Sequence, residues 1–238
     1  MRLFLCEKPS QAKDIAAVLG ASRRGDGCWV GSNATVTWCI GHLLETAPPD
    51  AYDERYKRWV LADLPIIPDK WKMRVKPKTA SQFKAVKRLL GEASELVIAT
   101  DADREGEMIA RELVEHCRYR GPIQRLWLSA LDDASIRKAL AALKPGAETF
   151  NLYHSALGRS RADWLIGMNM SRLFTLLGRK SGYQGVLPVG RVQTPTLRLV
   201  VDRDRSISDF VPVAYWAIDV QLRHDEQLFT AQWRADPD

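Results

Sequence analysis

An acidic stretch at the junction of a strand and a helix constrains this chain more than any other feature. Asp101-Ala102-Asp103-Arg104-Glu105-Gly106-Glu107 places four carboxylates within seven residues. The apolar run 96–100 before it favours a β-strand, and the pattern at 108–114 after it is helical. Acids this close together repel one another unless a cation or a basic partner compensates them. The stretch therefore predicts a hard cation bound where a strand ends.

Strands and helices alternate over the first part of the chain. Apolar or alternating runs predict strands at 2–6, 34–40, 95–100 and 125–128. Helical periodicity and capping residues predict helices at 11–19, 81–90, 106–117 and 133–143. The glycine-rich, charged segment 22–32 is predicted to be a loop. This alternation predicts an α/β fold with a mostly parallel sheet flanked by helices.

The pattern changes after about residue 150. A long helix is predicted at 151–178, broken at most by Gly158 and Gly167, and a second helix at 194–206. Residues 215–222 alternate like a strand that has little chain left with which to pair. A helical segment and the beginning of a β region are therefore expected after the α/β part.

Glu7 and Asp101 each follow a predicted strand. Sites in α/β sheets form at the carboxyl ends of parallel strands, so neighbouring strands would bring Glu7, Asp101 and Asp103 together, with Glu105 at the helix start. Such a carboxylate set suits Mg²⁺, which takes one or two carboxylates directly and keeps waters for phosphate oxygens. The sequence thus favours a magnesium site.

The acidic stretch has two other interpretations. Asp101 and Asp103 could cap the following helix and favour its dipole, which accounts for one acid but not for three together with Glu7. The spacing up to Glu112 in the twelfth position also approaches an EF-hand loop. That loop needs a preceding helix and a non-helical stretch, whereas the pattern here is strand and then helix, so an EF-hand is disfavoured.

Basic residues are concentrated in two stretches. Residues 55–88 contain 11 Lys or Arg against two acids, and residues 155–200 contain seven against Asp163 alone. This distribution suggests a polyanionic partner, with nucleic acid the leading candidate, although two solvated basic faces would look the same. The four cysteines are widely spaced, and no apolar run approaches membrane-spanning length. We expect no membrane partner and a reducing cytoplasm.

Several motifs resemble those of a known family. Glu7-Lys8-Pro9-Ser10 with the acidic stretch resembles the Toprim domain of topoisomerases, bacterial-type primases and some nucleases. Segments 161–169 and 190–197 resemble signatures of type IA DNA topoisomerases. Segments 41–45 and 58–65 resemble the bacterial topoisomerase III branch of that family. The similarity covers essentially the whole chain.

The resemblance implies a domain organisation and a chemistry. It implies a Rossmann-like Toprim domain at 1–148, a helical DNA-binding segment at 149–212 and the truncated start of a β domain at 213–238. Type IA enzymes cut one DNA strand through a 5′-phosphotyrosine, pass another strand through the break and reseal it.

The same resemblance assigns roles to the acidic site. It assigns Mg²⁺ to Glu7, Asp101 and Asp103, with Glu105 in support. Lys8 would approach the scissile phosphate, where a cation stabilises developing charge. Glu7 could also transfer a proton to the leaving 3′-oxygen if the neighbouring acids raise its pKa.

A helical face and a loop are the candidate DNA contacts. Residues that share one face of the long helix are Arg161, Trp164, Met168, Arg172, Thr175 and Arg179. Guanidinium groups around a Trp suit single-stranded DNA, because cations follow phosphates while the ring stacks on a base. From the residues alone, a core position for Trp164 with solvated arginines is the more probable arrangement, and the resemblance reverses that preference.

The family binds the DNA strand with a second element, a glycine-containing loop. The corresponding residues here are Pro188, Val189, Gly190, Arg191, Val192 and Gln193. Pro188 stands where the family usually has Ser, so a hydroxyl contact is lost. Outside this loop, Trp59 matches a family position near DNA. Asp163 is expected to orient a neighbouring Arg. His42 is expected to be structural rather than catalytic.

No nucleophilic tyrosine is expected in this chain. Its tyrosines are Tyr52, Tyr56, Tyr119, Tyr153, Tyr183 and Tyr215, and none has the family's Thr-Tyr-x-Arg context. We therefore expect the N-terminal part of a bacterial topoisomerase, an isomerase, that is inactive without the tyrosine domain. We also expect a cytoplasmic monomer associated with the nucleoid or a plasmid. A stand-alone Toprim nuclease or primase-like enzyme is the alternative.

Overall fold

The protein was analysed as a computed structural model, which describes residues 1–234. The chain divides into two compact units, Met1–Arg191 and Val192–Asp238. The strands of the first unit are β1 (Arg2–Cys6), β2 (Arg23–Gly25), β3 (Cys28–Val30), β4 (Ala34–Trp38), β5 (Leu44–Thr46), β6 (Met73–Val75), β7 (Glu95–Ala99), β8 (Ile123–Arg125) and β9 (Lys144–Pro145). Its α-helices are α1 (Pro9–Val18), α2 (Ala80–Glu92), α3 (Arg104–His116), α4 (Asp133–Ala141) and α5 (Phe150–Lys180).

A seven-stranded sheet organises the first unit. Its strand order is β2-β3-β4-β1-β7-β8-β9. The four central strands are parallel, while the β2–β3 hairpin at one edge and β9 at the other are antiparallel. The predicted α/β fold with a mostly parallel sheet is therefore confirmed. The predicted functional boundaries after residues 148 and 212 stay predictions.

The hydrophobic core lies on both faces of this sheet. Leu3 and Leu5 of β1 belong to one buried cluster, whereas Phe4 and Cys6 belong to the other. Because successive side chains of a strand point to opposite faces, a strand covered on both sides has to be apolar throughout. The continuous apolar runs of β1 and β7 follow from this double burial.

The segment predicted to be a loop at 22–32 is in fact the β2–β3 hairpin. Gly25 pairs with Cys28, which leaves Asp26 and Gly27 as a two-residue turn. Gly27 has a φ of +66°, and an added Cβ would lie 2.5 Å from the Cβ of Ala85. An Asp-Gly dipeptide is a strong hairpin signal. The expectation of a loop rests on the glycine and charge content of the segment, which does not exclude two short strands around this dipeptide.

Two other elements differ from expectation. β8 covers Ile123–Arg125 and shares only Arg125 with the strand predicted at 125–128, although Leu126 and Leu128 are buried. Helix α5 runs through Gly158 and Gly167 without a break over 31 residues. Glycine inside a helix costs only about 1 kcal/mol relative to alanine, which the packing of a long helix offsets.

The second unit consists of a helix and a hairpin. Helix α6 (Gln193–Ser208) is followed by β10 (Asp219–His224) and β11 (Gln227–Gln232), which pair antiparallel. The strand predicted at 215–222 begins only at Asp219, and the little chain that follows it is enough for a partner, because a tight turn with Asp225 at a φ of +53° leads directly into β11. Residues 235–238 of the predicted β region lie outside the described residues.

Candidate functional site

The two predicted strand-end carboxylates lie side by side. Strand β1 pairs in parallel with β7, and Cys6 is opposite Ala99, so the residues that follow leave the sheet at the same edge. The backbone N–H of Asp101 donates a hydrogen bond of 3.2 Å to Oε2 of Glu7. Parallel pairing thus places Glu7 against the start of the acidic stretch.

Two residues of the β1–α1 segment hold Asp101. Lys8 Nζ lies 3.0 Å from Oδ2 of Asp101 and 3.9 Å from Oε1 of Glu7. Gln11 Nε2 donates to Oδ1 of Asp101 at 3.1 Å, while its Oε1 accepts from the backbone N–H of Glu7 at 2.8 Å. The sequence prediction included Lys8 but missed Gln11. The sequence signal for Gln11 was its position in the first turn of the helix that follows Lys8.

Asp103 caps helix α3. Its Oδ1 accepts a hydrogen bond of 2.7 Å from the backbone N–H of Gly106. A Cβ at Gly106 would lie 2.2 Å from the carbonyl oxygen of Asp101, so only glycine fits against this turn. The capping interpretation of the acidic stretch therefore describes Asp103, and the helix that follows it excludes an EF-hand loop.

Glu105 turns toward His42. Its Oε2 lies 3.6 Å from His42 Nε2, and His42 Nδ1 lies 3.0 Å from Oε1 of the buried Glu112. Burial lowers the pKa of His42, but the hydrogen bond and charge of Glu112 outweigh burial and raise that pKa above its ordinary value. His42 therefore connects the exposed acid at the helix start to a buried acid further along the helix.

The surroundings of Glu7 raise the pKa of its carboxyl group. Burial raises its pKa most, and the charges of Asp101 and Asp103 raise it further. The hydrogen bond from Asp101 and the charge of Lys8 act in the opposite direction but do not cancel these effects. The pKa of Lys8 is raised, chiefly by its hydrogen bond to Asp101.

These carboxylates fit Mg²⁺ chemically without forming a dense cluster. Within residues 1–234, no three acidic, histidine or cysteine side chains converge as the ligands of a metal ion do. Asp101 and Glu105 are 41% and 48% exposed, so both can reach an ion at the surface. Mg²⁺ requires only one or two direct carboxylates when waters complete its shell, and these hard oxygen donors meet that requirement.

A buried ion network lies beneath the acidic stretch. Glu107 is fully buried and is paired with both Arg111 and the fully buried Arg125. Arg125 also donates from Nη2 to the carbonyl oxygen of Asp101 at 2.6 Å and from Nη1 to that of Thr100 at 2.8 Å. The last acid of the stretch is therefore structural, and Arg125, which the sequence prediction missed, fixes the backbone of the site.

Trp164 lies among other aromatic rings. It makes edge-to-face contacts with Tyr52 and Trp71 at centroid distances of 5.8 and 5.4 Å. Its Nε1 donates to the carbonyl oxygen of Ala47 at 3.2 Å, and the guanidinium of Arg161 lies 5.3 Å from the Trp71 centroid. Trp164 is half-buried and belongs to none of the hydrophobic core clusters of the described residues, so the core position that the residues alone favour is met only in part. Its contact with DNA stays a prediction.

Arg172 is buried, unlike Arg179 on the same helix. Its Nη1 donates to the carbonyl oxygen of Tyr56 at 2.9 Å, and its guanidinium lies 5.2 Å from the Trp59 centroid. Burial lowers the pKa of Arg172. Arg179 is exposed. Burial argues against a phosphate contact for Arg172 in this arrangement, although both DNA-binding assignments stay predictions.

The glycine-containing loop is held against α5 within the first unit. Val189 exchanges hydrogen bonds with Ser171, donating from its backbone N–H at 2.9 Å and accepting at its carbonyl oxygen at 3.3 Å. Arg191 Nη1 lies 2.8 Å from Oδ1 of Asp163, so Asp163 orients a neighbouring Arg as expected. Pro188 is exposed and Gly190 half-buried, while Val192 and Gln193 are exposed in the second unit.

A crevice joins the acidic site to α5. Its volume is about 340 Å³. The crevice runs from His42 and Glu105 to Arg159 and Asp163, with Lys76 on its wall. Both charge signs therefore line one groove that includes Glu105, an arrangement that a metal ion and a phosphate backbone can share.

Two family models match this chain, and each covers a region in which the sequence motifs of that family lie. Residues 2–131 match the Toprim domain, and residues 147–237 match a DNA topoisomerase family. The DNA topoisomerase 3 of Vibrio cholerae is 50% identical over 227 residues, which cover 93% of this chain and 35% of the relative. That of Salmonella typhimurium is 45% identical over 241 residues, which cover 98% of this chain and 37% of the relative.

The fold is also found in a solved structure. Full-length topoisomerase I from Thermotoga maritima matches with a TM-score of 0.63 and 25% identity, covering 99% of this chain and 35% of that one. The chain thus spans about 35% of the length of the relatives it matches. No helix within residues 1–234 has the length and apolar character that crossing a bilayer requires. Since the Toprim match covers residues 2–131, more than half of the chain, the chain belongs to the Toprim family, and its resemblance to type IA DNA topoisomerases, bacterial topoisomerase III among them, is confirmed.

Proposed function

We propose that this chain supplies the metal site and part of the single-stranded DNA groove of a type IA DNA topoisomerase. The observation that carries the proposal is the contact between Glu7 and Asp101, which brings acids from two strand ends to one edge of the sheet. Glu105 of the same acidic stretch lines the crevice that leads to α5. A family match to DNA topoisomerases over residues 147–237 supports the assignment of DNA as the substrate.

Mg²⁺ is the proposed cofactor. Glu7, Asp101 and Asp103 would hold it, with Glu105 in support. When bound, the ion would supply positive charge next to phosphate oxygens. Lys8, which is paired with Asp101 but 56% exposed, would add its ammonium charge at the same phosphate. The raised pKa of Glu7 supports a role in holding a proton for the leaving 3′-oxygen.

The proposed groove combines basic side chains with a structural wall. The cations proposed to follow phosphates are Arg161, Arg179 and Arg191. The loop backbone proposed to approach the strand belongs to Val189, Gly190, Val192 and Gln193. Trp59, Trp164 and Arg172 build the wall on which the groove is formed, through contacts with Tyr56, Ala47 and Trp71.

The whole activity proposed is strand passage through a transient 5′-phosphotyrosine break. None of the six tyrosines is assigned as its nucleophile. The chain by itself is therefore expected to bind single-stranded DNA as a monomer in the bacterial cytoplasm, without cutting it.

The proposal is tested by DNA binding and by adduct trapping. Fluorescence anisotropy with a labelled single strand should show binding that weakens as salt increases. Denaturing electrophoresis after incubation with Mg²⁺ should show no protein–DNA adduct. A trapped phosphotyrosyl adduct would contradict the assignment, because it would place the nucleophile within these residues.

A stand-alone Toprim nuclease or primase-like enzyme remains the second candidate. Its support is the Toprim match at 2–131, which those enzymes share. Nicking of plasmid DNA by this chain with Mg²⁺, abolished by Asp101→Asn and retained by Glu92→Gln on the exposed face of α2, would favour it. The match of residues 147–237 to a DNA topoisomerase family argues for the first candidate.

A further inference from the structure

A buried glutamine joins the residues that follow β1 and β7. Gln11 lies in the first turn of α1 and is only 3% exposed. Its Oε1 accepts a hydrogen bond of 2.8 Å from the backbone N–H of Glu7, and its Nε2 donates at 3.1 Å to Oδ1 of Asp101. A backbone N–H can only donate and an ionised carboxylate can only accept, so the amide fits in one orientation. Gln11 thereby fixes which oxygen of Asp101 the protein holds.

The other oxygens of the two carboxylates face one ammonium group. Oε2 of Glu7 accepts from the backbone N–H of Asp101 at 3.2 Å, which leaves Oε1, at 3.9 Å from Nζ of Lys8. Oδ2 of Asp101 lies 3.0 Å from the same Nζ. Each carboxylate therefore has one oxygen held by a donor of the fold and one oxygen directed at a shared cation.

Lys8 and Gln11 differ in how easily they can leave Asp101. The side chain of Lys8 is 56% exposed, so water can replace the carboxylates around its ammonium group. Gln11 is buried, and turning away from Asp101 would leave its N–H group without an acceptor inside the protein, which is costly. A bound ion can therefore take the oxygens that face Lys8, whereas Oδ1 of Asp101 stays with Gln11.

One oxygen from each carboxylate suits a small ion. Mg²⁺ takes one or two carboxylates and completes an octahedron with waters, whereas Ca²⁺ takes about six to eight oxygens and often both oxygens of one carboxylate. With Oδ1 held by Gln11, Asp101 lacks the second free oxygen that calcium uses. The hydrogen bond from Gln11 therefore lowers the affinity of the site for Ca²⁺ more than its affinity for Mg²⁺.

We propose that Gln11 is a positioning residue that makes the strand-end site select Mg²⁺ over Ca²⁺. It acts through Asp101, whose carboxylate it restricts to one free oxygen. This inference rests on the proposed magnesium site and names the residue that sets the selectivity of that site. Loss of a hydrogen-bond partner of a ligand typically changes metal affinity by about 10- to 100-fold, which is large enough to measure.

Metal-dependent melting of the full chain tests the selectivity. MgCl₂ or CaCl₂ replaces KCl at constant ionic strength, and the rise in melting temperature gives an apparent dissociation constant for each ion. The wild type should bind Mg²⁺ more tightly than Ca²⁺. In Gln11→Met, the ratio of the calcium constant to the magnesium constant should fall about tenfold, because Oδ1 of Asp101 becomes available.

Two further variants separate selectivity from folding. Gln82→Met removes another buried amide, which donates to the carbonyl oxygens of Gly27 and Trp38, so it should lower the melting temperature and leave the ratio unchanged. Gln11→Glu, in alkaline buffer that ionises the new carboxyl group, keeps an acceptor for the N–H of Glu7 but removes the donor to Asp101. Its ratio should fall as in Gln11→Met, and it provides the test if the methionine variant does not fold.

The outcomes distinguish the inference from the site on which it rests. If the variants of Gln11 bind both ions with the wild-type ratio, Gln11 has a structural role only and the inference is overturned, while the magnesium site stands. A wild type that binds Ca²⁺ as tightly as Mg²⁺ overturns the inference as well. If neither ion raises the melting temperature of the wild type, the site and the inference both fail.

Discussion

Four of the five carboxylates between residues 101 and 112, all except the helix-capping Asp103, fall into two groups that the sequence does not distinguish. Asp101 and Glu105 are 41% and 48% exposed and contact Lys8 and His42. Glu107 and Glu112 are 0% and 5% exposed, and each has a partner that compensates its charge inside the protein. The exposed acids can exchange their partners for an ion, whereas the buried acids cannot. The side chains that pair with these acids, and with them the exposure of each acid, come from distant parts of the chain.

The two buried acids also differ from each other. Glu107 is paired with two arginines, which keep their charge at every ordinary pH. Glu112 is paired with a histidine, whose charge depends on pH. Helix α3 therefore contributes to two charge systems. Glu107 belongs to an ion network that is permanent, and Glu112, about a turn and a half further along, belongs to a pair whose charge depends on pH.

The largest expected effect is on the permanent network. Glu107→Ala leaves Arg125 buried without its carboxylate partner, and removal of one member of a buried pair costs about 3–5 kcal/mol. Urea denaturation should show this loss in the free energy of unfolding. The matched control is Glu92→Ala, whose partner Arg88 is exposed, and its cost should be about 0–1 kcal/mol. Equal losses of unfolding free energy in the two variants would contradict the distinction between buried and exposed carboxylates.

The exposed group should show the opposite behaviour. Asp101→Asn breaks an ion pair with Lys8 that solvent screens, so unfolding without metal should change by less than about 1 kcal/mol. Mg²⁺ should raise the melting temperature of the wild type, because a ligand bound only by the folded state stabilises it. The variant should lose that increase. A variant that gains as much from Mg²⁺ as the wild type does would contradict a metal role for Asp101.

The titratable pair should make stability depend on pH. The pKa of His42 is raised above its ordinary value of 6.5, so the folded state binds the proton more tightly than the unfolded chain. The contribution of His42 is therefore fully present below 6.5 and is lost as pH rises through the higher folded pKa. The groups that act on His42 are Glu112, Glu105 and Lys76.

Denaturation in EDTA at several pH values measures this contribution. The difference in stability between the wild type and His42→Gln should shrink as pH rises, while that between the wild type and Glu107→Ala should stay constant over the same range. A constant difference for His42→Gln would mean that Glu112 does not hold a protonated histidine.

Strand pairing was the part of the site that could be predicted. The alternation of strands and helices located Glu7 and Asp101 at the ends of β1 and β7, and the parallel register brings them together. The partners that fix them could not be predicted in the same way. Arg125 lies in an apolar stretch that resembles any strand, and nothing local indicates that its guanidinium turns under the neighbouring loop.

The helical face of α5 shows a second limit. Periodicity correctly groups Trp164 and Arg172 on one side of the helix, but it does not reveal what covers that side. The covering residues, Ala47, Tyr56 and Trp71, lie in an irregular, proline-rich segment that has no period of its own. A shared helical face can therefore be predicted, whereas its exposure cannot.

The smallest expected effect separates Arg179 from Arg172. The resemblance to type IA topoisomerases predicts that alanine at either position weakens DNA binding and reduces the salt dependence by about one unit of slope. The exposed Arg179 should follow this prediction. Arg172→Ala should instead remove the hydrogen bond to Tyr56, with a loss of about 1–3 kcal/mol in unfolding free energy and an unchanged salt slope. A reduced slope for Arg172→Ala in a stably folded variant would show that its guanidinium leaves Trp59 to meet a phosphate.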